Sequence, residues 1–169
     1  MAAKDIHTAR CSCGGVAFEA SGAPILSADC FCDSCQEGAS RIEALPGAPK
    51  VLSADGGTGY VLYRKDRVRC AKGPALLKNH KLTPGSPTNR VVAACCNTAM
   101  VVGFDDSKHW YSMYRSRFAG DAPPPAMRIC TKFKPAGPDL PNDIPNHPGY
   151  PPGFMLKLVV ARIAMLFGR

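Results

Sequence analysis

Seven cysteines in three short groups constrain this chain more than any other feature of its sequence. They are the pair Cys11 and Cys13, the group Cys30, Cys32 and Cys35, and the adjacent pair Cys95 and Cys96. Residues 1–7 contain no apolar stretch of the kind found in secretory signals, so a cytoplasmic location is predicted. In a reducing compartment, clustered cysteines are metal ligands or reduced core thiols rather than disulfides.

The spacing of these cysteines predicts zinc. Side chains at positions i and i+2 of an extended chain point to the same face, so each C-x-C pair can bind one ion. An all-thiolate donor set favours zinc and excludes magnesium and calcium. Because a tetrahedral zinc takes four ligands, seven thiols predict two zinc ions per chain.

The seven thiols divide most simply into two unequal sites. We expect a closed structural site from Cys11, Cys13, Cys95 and Cys96, and an open site from Cys30, Cys32 and Cys35. The closed site would join distant parts of the chain and stabilise the fold. A zinc with three protein ligands and one vacant position is typical of catalysis, and this asymmetry favours an enzyme.

The composition predicts a mainly β fold with many turns, because 16 glycines and 16 prolines leave little room for long helices. Short β-branched and aromatic runs, such as residues 60–63 and 99–104, predict strands, and residues 36–45 predict a short helix. Residues 1–134 are expected to form one zinc-binding domain.

The remaining residues form two further segments. Prolines recur about every third residue over 135–153, which predicts an extended strap, either docked on the domain or free as a linker. Residues 154–169 predict an apolar helix. This helix is too short to span a bilayer, which takes about 20 residues. We expect it to pack on its own domain or to mediate homo-oligomer formation, with shallow membrane association as the alternative.

The order of the motifs resembles the glutathione-dependent formaldehyde-activating enzyme family, which includes the centromere protein V-like proteins. C-x-C-G-x-V-x-F-E begins at Cys11, C-x-C-x-x-C follows at Cys30, and an Arg-led strand ends in the cysteine-rich 95–98 segment. The resemblance implies a β-tent of small antiparallel sheets pinned by a structural zinc, with a second zinc at the active site. By position, Cys11, Cys13 and Cys96 match structural ligands, and Cys30, Cys32 and Cys35 match the catalytic group.

One departure from the family pattern concerns the last cysteine motif, which usually reads C-x-x-C-G. Ala93 and Asn97 stand where the family has Cys and Gly, and Cys95 is expected to replace the missing ligand. If Cys95 instead faced the second zinc, that site would close and catalysis would be in doubt.

The resemblance implies a carbon–sulfur lyase-type enzyme similar to S-(hydroxymethyl)glutathione synthase, acting on glutathione or another thiol and an aldehyde. Residues 61–135 carry fourteen basic and four acidic side chains, a net charge of +10. Arg64, Arg67, Arg69 and Arg90 are therefore candidates for binding the glutathione carboxylates. The alternative is a non-catalytic zinc module that binds an anionic partner, either a nucleic acid or a protein.

Overall fold

The computed structural model describes residues 5–120 and 122–168 and shows a mainly β protein with two sheets, which confirms the predicted fold class. The smaller sheet has three antiparallel strands in the order β1–β2–β5. These strands are β1 (Ile6–Arg10), β2 (Ala17–Ser21) and β5 (Val68–Lys72). A turn over residues 11–16 joins the first two and carries the first cysteine pair.

The larger sheet has seven strands in the order β10–β3–β4–β9–β8–β7–β6. They are β3 (Leu26–Cys30), β4 (Thr58–Arg64), β6 (Leu77–His80), β7 (Thr88–Ala93), β8 (Thr98–Phe104), β9 (Trp110–Tyr114) and β10 (Met127–Ile129). All neighbours are antiparallel except β10, which pairs with β3 in parallel.

Both faces of the larger sheet are covered, and strand β4 shows why its sequence is a continuous apolar run. Val61 and Tyr63 lie in a core shared with the smaller sheet, while Tyr60 and Leu62 lie in a second core on the opposite face. Successive side chains of a strand point to opposite faces, so a strand buried on both sides needs apolar residues at every position.

Two helices pack into the second core. Helix α1 (Asp33–Glu43) contributes Ala39 and Ile42, and helix α2 (Pro152–Leu166) contributes Phe154 and Leu158. Helix α1 begins three residues before the predicted start at residue 36, and this shift places Cys35 in its first turn.

The strap is docked rather than free. Backbone hydrogen bonds join it to β10 and the residues that follow, from Arg128 N to Pro145 O, His147 N to Arg128 O, and Thr131 N to His147 O. The Arg128 guanidinium also forms an ion pair with Asp143, with Nη1 2.8 Å from Oδ1. Within the described residues, no helix has both the length and the apolar character that crossing a membrane requires.

Candidate functional site

The structure brings four sulfurs together in a four-cysteine cluster formed by Cys11, Cys13, Cys95 and Cys96, all within 4.8 Å of one another. The Cys11 Sγ lies 3.6 Å from Cys13 Sγ and 3.9 Å from Cys95 Sγ, and Cys95 Sγ lies 3.8 Å from Cys96 Sγ. Four sulfurs on one tetrahedral zinc lie about 3.8 Å apart, given zinc–sulfur bonds of about 2.3 Å. The donor set and its spacing therefore fit zinc.

Turns, not extended strands, aim these four side chains inward. Cys11 and Cys13 lie in a turn closed by a hydrogen bond from Gly14 N to Cys11 O, with Gly14 at a φ of 74°. Cys95 and Cys96 lie in the turn between β7 and β8, where Asn97 has a φ of 51°. Adjacent residues of a strand would point apart, so this turn is what places Cys95 with the four-cysteine cluster.

A second group of sulfurs forms a three-cysteine cluster of Cys30, Cys32 and Cys35, also within 4.8 Å of one another. Cys30 ends β3, Cys32 is the N-cap of α1, and Cys35 lies in the first turn of α1. Helix N-termini stabilise thiolates through their free N–H groups and dipole. Across residues 5–120 and 122–168, no fourth Cys, His, Asp or Glu completes this group.

Hydrogen bonds within the three-cysteine cluster shift the pKa values of its thiols in opposite directions. Hydrogen bonds from Cys30 and Cys35 lower the pKa of Cys32 to about 2, and the bond shared with Cys32 raises the pKa of Cys30 far above its usual range. The pKa of Cys35 is raised to about 12. The hydrogen bond with Cys30 lowers this pKa, but the hydrogen bond with Cys32 and burial raise it by more. A bound cation would favour all three thiolates.

Tyr60 and Arg90 support this cluster from the sheet. The Tyr60 hydroxyl donates to Cys35 Sγ at 3.6 Å, and burial raises the pKa of this phenol well above its usual value, so it stays a donor. Arg90 is only 2% exposed and its Nη2 donates to the Ser34 carbonyl oxygen at 2.5 Å. The Arg90 Nε and Nη1 are buried without a hydrogen-bond partner, so a positive charge lies beside the segment that carries Cys32 and Cys35.

The three-cysteine cluster opens into a cavity of about 380 Å³. Strands β4, β8 and β9 supply Leu62, Phe104 and Trp110 to its walls, and α2 supplies Phe154 and Leu158. The cavity therefore combines three cysteines that could hold a metal with walls that are mostly apolar.

Of the four arginines expected to bind substrate, Arg90 alone lines this cavity in the described part of the chain. Arg64 is held by Asp66, with Nη2 2.5 Å from Oδ2, and Arg69 pairs with Glu19 at 2.5 Å on the smaller sheet. Arg67 and Arg69 line a separate small pocket beside β1 and β2. We therefore leave Arg64, Arg67 and Arg69 out of the site.

Several cavity residues were missed by the sequence reasoning. Tyr60 and Leu62 share the cavity face of β4, which the alternation of that strand would have indicated once both faces were known to be buried. Trp110 and Phe154 come from segments distant in sequence, and nothing local marks them. Cys130, which lies outside the three cysteine groups of the sequence, is buried and close enough to Cys30 to hydrogen-bond with it.

Comparison with known proteins gives one family match. The family model described as glutathione-dependent formaldehyde-activating enzyme matches residues 6–131, a range that contains both cysteine clusters and ends before the strap and α2. A crystal structure of a Rhodobacter sphaeroides protein is similar at 15% identity, covering 69% of this chain and 91% of that chain with a TM-score of 0.48. A search of curated proteins found no match.

Proposed function

Because the chain belongs to the glutathione-dependent formaldehyde-activating enzyme family, we propose that it is a zinc-dependent enzyme that joins a thiol to an aldehyde. The observation that supports this most directly is the three-cysteine cluster, which lacks a fourth protein ligand among the described residues and opens into a cavity. The four-cysteine cluster would hold a structural zinc, and the three-cysteine cluster a catalytic one. Two zinc ions per chain are expected.

In the proposed reaction, the thiol sulfur attacks the aldehyde carbon. A carbon–sulfur bond forms, the carbonyl π bond breaks, and the proton lost by the thiol ends on the carbonyl oxygen, giving a hydroxyalkyl thioether. With formaldehyde and glutathione this product is S-(hydroxymethyl)glutathione. The reverse reaction is a carbon–sulfur lyase step.

Zinc bound at the three-cysteine cluster would lower the pKa of a coordinated substrate thiol, which makes the nucleophile available near neutral pH. The chain's own residues hold and balance this centre. Tyr60 donates to Cys35 and keeps that sulfur oriented, while the buried Arg90 offsets the negative charge of three thiolates. The apolar walls exclude water, which strengthens these electrostatic interactions.

This proposal is tested by measuring the zinc content and the turnover rate of the wild type and its variants. The Cys32→Ser variant should stay folded and lose one of two zinc ions. It should also no longer form the adduct of glutathione and formaldehyde, which NMR detects. Cys70→Ser is the matched control, because Cys70 is a free thiol outside both clusters. Full zinc content and turnover in Cys32→Ser would refute the assignment. Two zincs in the wild type with no turnover of any thiol would favour the non-catalytic module.

A further inference from the structure

The size and the apolar walls of the cavity indicate which kind of substrate would fit beside the cysteines. Its volume of about 380 Å³ equals that of roughly a dozen liquid water molecules. Formaldehyde, with two heavy atoms, would fill a small part of it. The walls are formed mainly by aromatic and aliphatic side chains, namely Leu62, Val102, Phe104, Trp110, Phe154 and Leu158.

The charges of the cavity do not match those of glutathione, which carries two carboxylates and an ammonium group. The cationic residues in the lining are Arg90 and Lys108, and its described part has no Asp or Glu to pair with an ammonium. Lys108 is already engaged, since it forms an ion pair with Asp106 and lies 5.0 Å from the centre of the Phe104 ring. One cation, Arg90, remains beside the cysteines.

One wall of the cavity comes from a part of the chain outside the family match. Phe154, Met155 and Leu158 belong to α2, whereas the match ends at residue 131. This wall is firmly attached: Phe154 and Leu158 are buried, and the His109 ring nitrogen Nε2 lies 2.9 Å from the Leu158 carbonyl oxygen. The segment that completes the cavity is therefore an addition to the family core.

We propose that the cavity binds a thiol or aldehyde with an apolar body, an aryl or alkyl group, and that α2 sets this preference. The identity of the reaction rests on the proposed function, but the binding preference does not. Each methylene that enters such walls raises affinity about fourfold. The straight-chain alkanethiols have nearly the same sulfur acidity and so nearly the same affinity for a cysteine-bound metal. Dependence on chain length within that series therefore isolates the contribution of the walls.

Trp110 provides a direct test, because it is the single tryptophan of the chain and it lines the cavity. The zinc-loaded protein is titrated with ethanethiol, butanethiol, hexanethiol, phenylmethanethiol and glutathione, and quenching of Trp110 fluorescence reports binding. We expect affinity to rise about fourfold per methylene and phenylmethanethiol to bind tighter than glutathione. Met155→Gln should weaken binding of hexanethiol about tenfold, because Met155 lines the cavity.

Leu156→Gln is the matched control, since Leu156 lies on the same helix, is 62% exposed and does not line the cavity. Equal affinity along the alkyl series, or tighter binding of glutathione than of phenylmethanethiol, overturns the proposal. Length-dependent binding without any carbon–sulfur product supports this preference and refutes the proposed function. Turnover of glutathione and formaldehyde alone would support the proposed function and refute this binding preference.

The outer face of α2 supports a second, independent inference. Seven large apolar residues on or next to this helix are 49–74% exposed: Met155, Leu156, Val159, Val160, Ile163, Leu166 and Phe167. At about 100° per residue they occupy one continuous arc of roughly 140°. An exposed apolar patch of this kind marks an interaction surface.

The charges at the edges of this arc favour a membrane over a protein partner. Lys157 and Arg162 are exposed and lie at its two edges, and α2 contains no Asp or Glu. Two copies of the helix meeting through this face would bring like charges together without an acidic partner on α2. An anionic lipid surface matches both features, since lysine and arginine at the edges of an apolar face reach the headgroups while the apolar side chains enter the acyl boundary.

We infer that α2 docks the protein on anionic membranes with its axis in the plane of the surface. Sedimentation with vesicles of phosphatidylserine and phosphatidylcholine should pull down the zinc-loaded protein, with weaker binding to phosphatidylcholine alone and at high salt. Ile163→Glu, at the centre of the arc, should abolish binding. Ile6→Glu is the control, since Ile6 is 60% exposed on β1, outside the helix.

Failure of the wild type to bind anionic vesicles overturns this inference. A dimer that Ile163→Glu dissociates, with no vesicle binding, would instead assign the face to a second copy of the chain. Neither result bears on the cysteine chemistry, because the residues of the arc other than Met155 do not line the cavity.

Discussion

Replacing Gly38 by alanine tests whether Arg90 must lie where the structure places it. Gly38 is in α1, and a Cβ built on it would lie 1.8 Å from the Arg90 Nε and 2.4 Å from Cζ. Such distances cannot exist, so Gly38→Ala must displace the guanidinium. The substitution therefore acts on a buried charge without touching a cysteine.

The two effects of this substitution on stability have opposite signs. Alanine is favoured over glycine inside a helix by about 1 kcal/mol. The displaced Arg90 loses its hydrogen bond to the Ser34 carbonyl oxygen, and hydrogen bonds to charged groups contribute about 1.5–3 kcal/mol. We expect a net loss of about 0.5–2 kcal/mol in the free energy of unfolding.

Urea unfolding of the protein in a fixed free-zinc buffer, followed by far-UV circular dichroism, measures this loss. Gly153→Ala is the matched control, because Gly153 is also helical and a Cβ there would have nothing within 4 Å. The control should be neutral or more stable by up to about 1 kcal/mol. If Gly38→Ala were as stable as Gly153→Ala, the packing of Arg90 against α1 described above would be wrong.

Three further outcomes are expected. Cys95→Ser should reduce zinc content and lower the melting temperature, while Cys70→Ser should do neither; an unchanged zinc content would remove Cys95 from the four-cysteine cluster. Burial lowers the pKa of His109 below its usual 6.5, so its contribution to holding α2 is present above pH 6.5 and is lost as the pH falls. The protection factors of α2 amides, which correct for the slower intrinsic exchange at low pH, should fall on acidification in the wild type but not in His109→Gln, and the same fall in both would exclude this histidine. Arg128→Met should expose the strap to proteolysis more than Asp143→Asn does, because Arg128 is buried and also donates to Pro141 O; equal cleavage in wild type and variants would contradict this.

The sequence by itself was sufficient where the deciding interactions are local. The C-x-C and C-x-x-C spacings limit which thiols can share an ion, and the proline recurrence and apolar run mark the strap and α2. These features depend on a few consecutive residues, whose geometry the backbone restricts strongly. The mainly β fold class followed from turn residues and strand-length apolar runs in the same way.

The tertiary structure alone decided which distant residues meet. Whether Cys95 points to Cys13 or elsewhere depends on the turn between β7 and β8, and the strict alternation of a strand would have sent it the other way. Among four similar arginines, Arg90 alone lines the cavity, next to a helix with glycine at the point of contact. Strand order and helix docking are long-range properties, since they depend on the summed burial of many side chains. For that reason the sequence could single out the cysteines that the structure brings together in two clusters, but the apolar cavity beside one of them appeared only once α2 was in place.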